Sequence, residues 1–167
     1  LSLQHLFISS FLIKFLIKMQ IRKARSEDLD TLLKFEQGII EAERPFDSTM
    51  KTEHFHYYDL KAMLNADDCA VVVAEENGQL VGSGSARILE AKPYNNYDSY
   101  AFLGFMYVDP SFRGRGVNSL IIDALKEWTM SKGLTEMRLQ VYSENSSAIK
   151  AYEKVGFKPI LTEMRLT

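Results

Sequence analysis

The chain carries a single cysteine, Cys69. No internal disulfide can form, which suits a reducing, cytoplasmic setting. Cys69 stands just ahead of the strand-like run Ala70 to Ala74, so it reads as buried packing and not as a nucleophile. Histidine is scarce as well, with three in the chain. His54 and His56 alternate, but no companion ligand stands at a convincing spacing, so no metal is expected. A basic excess is missing: 20 Lys and Arg face 22 Asp and Glu, for a net charge of -2. With no basic stripe either, nucleic acid is not an expected partner. Also absent is an uninterrupted apolar run of about 20 residues, so no membrane span is expected. Repeats and low-complexity linkers are missing too. What remains is 167 residues with 46% hydrophobic and 25% charged content, which suffices for one globular domain with an adequate core.

Residues 1–18 are apolar, precede Met19, and lack the basic start and small-residue cleavage site of a signal peptide. They are expected to be an N-terminal extension outside the native protein, with one domain over 19–167. The alternative is an amphipathic helix that packs on a partner subunit, as in a homodimer, or on a membrane surface.

From Met19 onward strand and helix patterns alternate. Gln20 to Ala24 reads as a strand. Ser26 caps a helix with Glu27 and Asp28 at its positive end and Leu29, Leu32, Leu33, Glu36 and Ile40 in register. Pro45 and Asp47 interrupt it, and Thr52 to Asn65 reads as a second helix. Val71 to Glu75 and Leu80 to Glu90 are strands joined at Asn77-Gly78, a hairpin signal. A loop over 91–98 leads to a strand over Ala101 to Val108. Met137, Leu139 and Val141 alternate as another strand. A short helix from Ser146 to about Val155 ends at Gly156, and Phe157 opens a final strand to about Leu166.

The most informative stretch follows Val108. Asp109-Pro110-Ser111-Phe112-Arg113-Gly114-Arg115-Gly116-Val117-Asn118 ends a β-rich run, alternates two arginines with two glycines, and enters an amphipathic helix at once. Val117, Leu120, Ile121, Ala124, Leu125 and Trp128 set one face of that helix, and Gly133 stops it. Such a place turns backbone N–H groups, two guanidinium groups and a helix N-terminus toward one point, and a phosphate or pyrophosphate suits it. The spacing is neither Gly-x4-Gly-Lys-Ser/Thr nor Gly-x-Gly-x-x-Gly.

Arg113-Gly114-Arg115-Gly116-Val117-Asn118 resembles the Gln/Arg-x-x-Gly-x-Gly/Ala signature of the GCN5-related N-acetyltransferase (GNAT) superfamily, with Asn118 departing from it at the sixth position. The segment Asn145-Ser146-Ser147-Ala148-Ile149-Lys150-Ala151-Tyr152 is similar to the same superfamily's closing helix. The resemblance implies an α/β (mixed α+β) fold: a central, mostly antiparallel sheet of six to seven strands flanked by about four helices. It implies acetyl-CoA as cosubstrate, with Arg113, Gly114, Arg115, Gly116, Val117 and Asn118 gripping its pyrophosphate. Within the strand before the loop, the Met106 N–H would hold the acetyl oxygen and Val108 the pantetheine, while Asn145 would contact the pantetheine arm. Tyr152 would be the general acid that protonates the departing thiolate.

The implied function is transfer of an acetyl group from acetyl-CoA to a primary amine, small molecule or protein, directly in a ternary complex. An alkylammonium is less than about 0.1% neutral at pH 7, so a base is needed. Two positions where relatives carry a glutamate hold Phe102 and Gln140 here. Glu41, Glu43, His54, His56, Glu90, Asp98 and Tyr100 remain as candidates. The alternative is a non-catalytic acyl-CoA-binding or regulatory module of the same fold. Acidic and aromatic residues over 40–58 and 91–100 would suit a cationic acceptor.

Overall fold

The structure, a computed structural model, describes residues 19–166; the expectation for 1–18 falls outside them. Strand β1 (Gln20–Lys23) leads through a 3-10 turn at Ser26–Asp28 into helix α1 (Leu29–Glu43). Ser26 lies inside that turn, and the Arg25 N–H is instead bound by the Asp28 carboxylate at 2.7 Å. Pro45 sits in a second 3-10 turn (Arg44–Phe46) that ends α1. Helix α2 is Leu60–Asn65, far shorter than the 52–65 expected. The reason is electrostatic: the N–H groups of Tyr57 and Tyr58 donate to the Glu36 carboxylate of α1, at 2.7 and 2.8 Å. A helical path through 57 and 58 would have to give up both bonds to a buried charge. Asp59 then caps α2 by accepting from the Ala62 N–H at 2.9 Å.

Strands β2 (Cys69–Glu76) and β3 (Gln79–Glu90) meet at Asn77-Gly78. Both turn residues have positive φ, 57° and 76°, as a two-residue type I′ turn requires. Strand β4 is Ser99–Val108, helix α3 is Val117–Ser131, strand β5 is Met137–Arg138 and helix α4 is Ser146–Lys154. The sheet runs β1-β2-β3-β4-β5, antiparallel except for the parallel β4–β5 pair.

Among the described residues five strands stand where six to seven were expected. The ladder at β5 holds only two residue pairs, and Phe157 to Leu166 joins no strand. Pro159 lacks the N–H a ladder would need, and Arg165 is tied elsewhere, to Asp47 at 3.0 Å.

Strand β2 explains the layering. Its alternate residues face opposite ways, so Val71 and Val73 meet α1 and α2 while Ala70, Val72 and Ala74 meet α3. Leu32, Phe35, Ile39, Leu60 and Phe105 complete the first layer; Leu103, Val117, Ile121 and Leu125 complete the second. A sheet buried on both faces is held rigidly, and its open end presents the site.

Candidate active site

Strands β4 and β5 pair only through Ala101 with Met137 and Phe102 with Arg138. Past that point β4 continues to Val108 while the chain after Arg138 leaves the ladder, so the two part. On its other edge β4 is bulged. Ser83 pairs with Tyr107 and Ser85 with Gly104, which sets Phe105 and Met106 against Gly84 alone. Phe105 takes φ 53°, a left-handed conformation that costs a bulky residue about 1–2 kcal/mol. Gly84 is obligatory opposite it: a β-carbon there would lie 2.5 Å from Ile121 and 2.9 Å from the Met106 sulfur. The bulge re-aims the backbone at Met106, the residue expected to hold the acetyl oxygen.

The loop after β4 follows from its caps. The Asp109 carboxylate accepts from the Ser111 N–H at 2.9 Å, and Pro110–Phe112 closes a 3-10 turn. Gly114 and Gly116 have φ 75° and 81°, with open space where a β-carbon would stand. Gly116 is the N-cap of α3 and supplies no side-chain cap. The Leu120 N–H reaches back to Gly116 at 3.2 Å; the N–H groups of Val117, Asn118 and Ser119 precede it and have no acceptor inside the helix. The arginines do not converge as expected. Arg113 Nε donates to the Val108 carbonyl at 3.2 Å, beside the loop, whereas Arg115 pairs with Glu76 at 2.6 Å and lies over the Phe112 ring.

On the far side of the opening, α4 starts at Asn145, whose Oδ1 accepts from the Ala148 N–H at 3.1 Å. The cap occupies the oxygen and leaves its NH₂ as the group that can donate. Met106, Val108, Leu139 and Tyr152 all pack on the α3-side core, and Phe157 meets the Tyr152 ring edge at 6.0 Å. Burial pushes the Tyr152 phenol up to about 12, with the negative charge of Glu43 and the nearby Tyr58 adding to the effect. Tyr58 packs in the α1-side core and Tyr152 on the α3-side core, and Tyr58 is near enough to add to the rise of the Tyr152 phenol.

A sequence model of the acetyltransferase (GNAT) family matches residues 35–157. The chain belongs to this family. An acetyltransferase of Pectobacterium atrosepticum is 30% identical over 61% of this chain and 67% of its own length. An aminoglycoside N(6′)-acetyltransferase of Salmonella typhimurium is 34% identical over 62% of this chain and 72% of its own. Among solved structures, a Bacillus halodurans protein aligns with TM-score 0.81 at 19% identity, covering 89% of this chain and 99% of that one. An aminoglycoside N-acetyltransferase in complex with CoA aligns with TM-score 0.67 at 24% identity, covering 88% and 100%. The fold is that of GNAT acetyltransferases, with five strands among the described residues.

Within this GNAT domain the base candidates separate by position. Glu90 and Asp98 flank the β3–β4 turn and Tyr100 lies one residue into β4, five to seven residues from the bulge and thus roughly 20 Å away. Tyr100 also lies against the Arg138 guanidinium. Glu41 pairs with Arg44 at 3.1 Å, and His56 Nδ1 lies 2.5 Å from Glu36. His54 meets the His56 ring edge-on. Glu43 differs. Burial raises its carboxyl above the ordinary range, the Tyr57 hydroxyl faces it, and its charge reaches Tyr58, Tyr142 and Tyr152.

Asp47 adds a second carboxylate, held well below the usual range by Thr49 and then Arg165. Two cavities, of about 500 and about 490 Å³, lie elsewhere, lined around Arg22 and Asp28 and around His54 and Gln37. Tyr58 falls within the 40–58 span expected to meet a cationic acceptor, whereas sequence reasoning gave Tyr142 no role.

Proposed function

We propose that this protein moves the acetyl group of acetyl-CoA directly onto a primary amine of a cationic acceptor. The observation that carries the reading is the opening between β4 and β5, flanked by a bulged strand at Phe105–Met106 and by Tyr152. The Met106 N–H would donate to the acetyl oxygen as negative charge gathers there, a stabilisation worth more in a dry site than in water. Residues Arg113 to Asn118 would hold the pyrophosphate through main-chain amides and the α3 N-terminus. Val108 and Asn145 would bind the pantetheine.

Glu43 would accept the ammonium proton, directly or through one water. The neutral amine then attacks the acetyl carbon, the C–N bond forms, the C–S pair leaves with the sulfur as CoA thiolate, and the surplus proton on the new amide nitrogen passes to that thiolate to give CoA thiol. Tyr152, protonated throughout the neutral range, would donate a hydrogen bond to that sulfur. With its phenol near 12 it is a weaker acid than a CoA thiol, so donation as the C–S bond breaks, not proton transfer to a free thiolate, is the role its environment favours.

Glu43 and Asp47, with Tyr57 and Tyr142, form an acidic, aromatic wall suited to a cationic amine, and an amino sugar is one such acceptor. The name of the Salmonella relative supports that class. The test is CoA release in the presence of acetyl-CoA and a panel of aminoglycosides, polyamines and peptides. Release that depends on amine, with an acetylated product by mass, is expected. CoA binding with no amine-dependent release would leave the non-catalytic module as the correct reading.

A further inference from the structure

We infer that Glu36 and Tyr58 are positioning residues that set the acetyl-binding bulge of β4; the inference rests on the transferase reading above. Glu36 sits on α1 and is fully buried, an uncommon place for a carboxylate without a guanidinium partner. Among the described residues, its side-chain hydrogen bonds all go to one short segment. Its Oε1 accepts the N–H groups of Tyr57 and Tyr58, and its Oε2 meets His56 Nδ1 at 2.5 Å. The carboxylate thus folds residues 56–58 around itself and fixes the direction in which Tyr58 leaves the backbone.

That direction leads to the bulge. The Tyr58 hydroxyl accepts the Phe105 N–H at 3.0 Å, and the two rings meet edge-on at 5.4 Å. Ser83 Oγ donates to the Phe105 carbonyl at 3.1 Å. Phe105 is the residue forced to positive φ, so two side chains hold the two polar groups that the distorted ladder cannot pair. Gly104 leaves room for this approach: a β-carbon there would touch the Tyr58 hydroxyl at 3.4 Å, and a branched side chain would displace it. The next amide along the chain is Met106. Its direction is set by the φ and ψ of Phe105, so Glu36 acts on the acetyl oxygen site through Tyr58 without touching substrate.

Tyr58→Phe removes one hydroxyl and keeps the ring. Glu36→Gln keeps an acceptor for the two backbone N–H groups and removes the charge. Calorimetric titration with acetyl-CoA and with CoA, single-turnover transfer, and hydrogen exchange at the Phe105 amide decide the matter. In Tyr58→Phe, acetyl-CoA affinity should fall about three- to tenfold with CoA affinity unchanged. Transfer should slow about 10- to 100-fold, and Phe105 should exchange faster. Glu36→Gln should move the same readouts in the same direction by less.

Equal loss of both ligands would show general damage, and unchanged acetyl-CoA affinity with unchanged exchange would show no coupling; either overturns the role. If the unaltered chain binds acetyl-CoA but transfers to no amine, the transferase reading fails while the binding and exchange arms still decide the positioning role. If it binds neither ligand, the CoA reading falls and the positioning role with it.

Discussion

The phenol of Tyr152, near 12 and raised in part by the charge of Glu43, and the Glu43 carboxyl, raised by burial, each make a separate demand on the chemistry. For Tyr152→Phe the ring stays against Phe157 and the α3-side core. Transfer in a single turnover should fall about 10²–10⁴-fold with acetyl-CoA affinity and melting temperature barely changed. A rate within about threefold of the unaltered protein would leave Tyr152 as packing.

Glu43 makes a different signature. As a base it works only when deprotonated, so activity should be lost as pH falls through its raised value, higher than an ordinary carboxylate would allow. Glu43→Gln should lower kcat/KM about 10²-fold or more and erase that acidic limb from the pH profile. A limb that survives the substitution would belong to another group, and Asp47 or a water relay would be next. Which of seven candidate bases matters was not legible in the sequence, because the answer depends on where α1 ends relative to Tyr152, a distance of over 100 positions along the chain.

At the scale of elements, local signals carried far. Asn77-Gly78 gave its turn, the apolar stripe from Val117 gave α3, and Gly133 gave its left-handed stop. Elements failed where a distant group overrode local preference. Residues 52–59 were expected to open a helix, but Glu36 takes the N–H groups of Tyr57 and Tyr58, and the helix starts only at Leu60. Arg115 looked like a phosphate ligand but faces Glu76, which the loop sequence could not reveal.

The phosphate loop carries its own prediction. At Gly116 open space surrounds the missing β-carbon, so Gly116→Val is resisted by positive φ and by the ligand, not by neighbouring protein. Acetyl-CoA affinity should drop at least about tenfold, or about 1.4 kcal/mol, beyond any loss of stability. Gly84→Ala is the contrast. The β-carbon would meet Ile121 at 2.5 Å, so the fold should lose about 1–3 kcal/mol by denaturant titration.

Across the whole molecule, ionisable groups set the pH window of the fold. Tyr58, Tyr142 and Tyr152 are all raised, first by burial and then by neighbouring negative charge. Raised phenols contribute stability that is complete below the unfolded value near 10 and lost as pH climbs toward about 12. Asp28 is lowered, chiefly by its bidentate pairing with Arg22 at 2.7 and 3.0 Å. Its contribution is complete above about pH 4 and is lost as pH falls toward its depressed value. Denaturation midpoints followed from acid to alkali should trace a plateau with both edges. The alkaline edge should coincide with the rise in tyrosinate absorbance, and Asp28→Asn should flatten the acid edge. An alkaline edge that precedes tyrosinate formation would assign that edge to other groups.

Cys69 sits at the first position of β2, buried, with its thiol pushed up to about 11 by burial. The chain's one sulfhydryl is therefore silent toward thiol-reactive dyes while the sheet is intact. A dye that reports free CoA would read turnover against a dark background. The same dye, with no CoA in the cuvette, would gain one equivalent per chain only when β2 opens, so a single reagent would time both catalysis and unfolding.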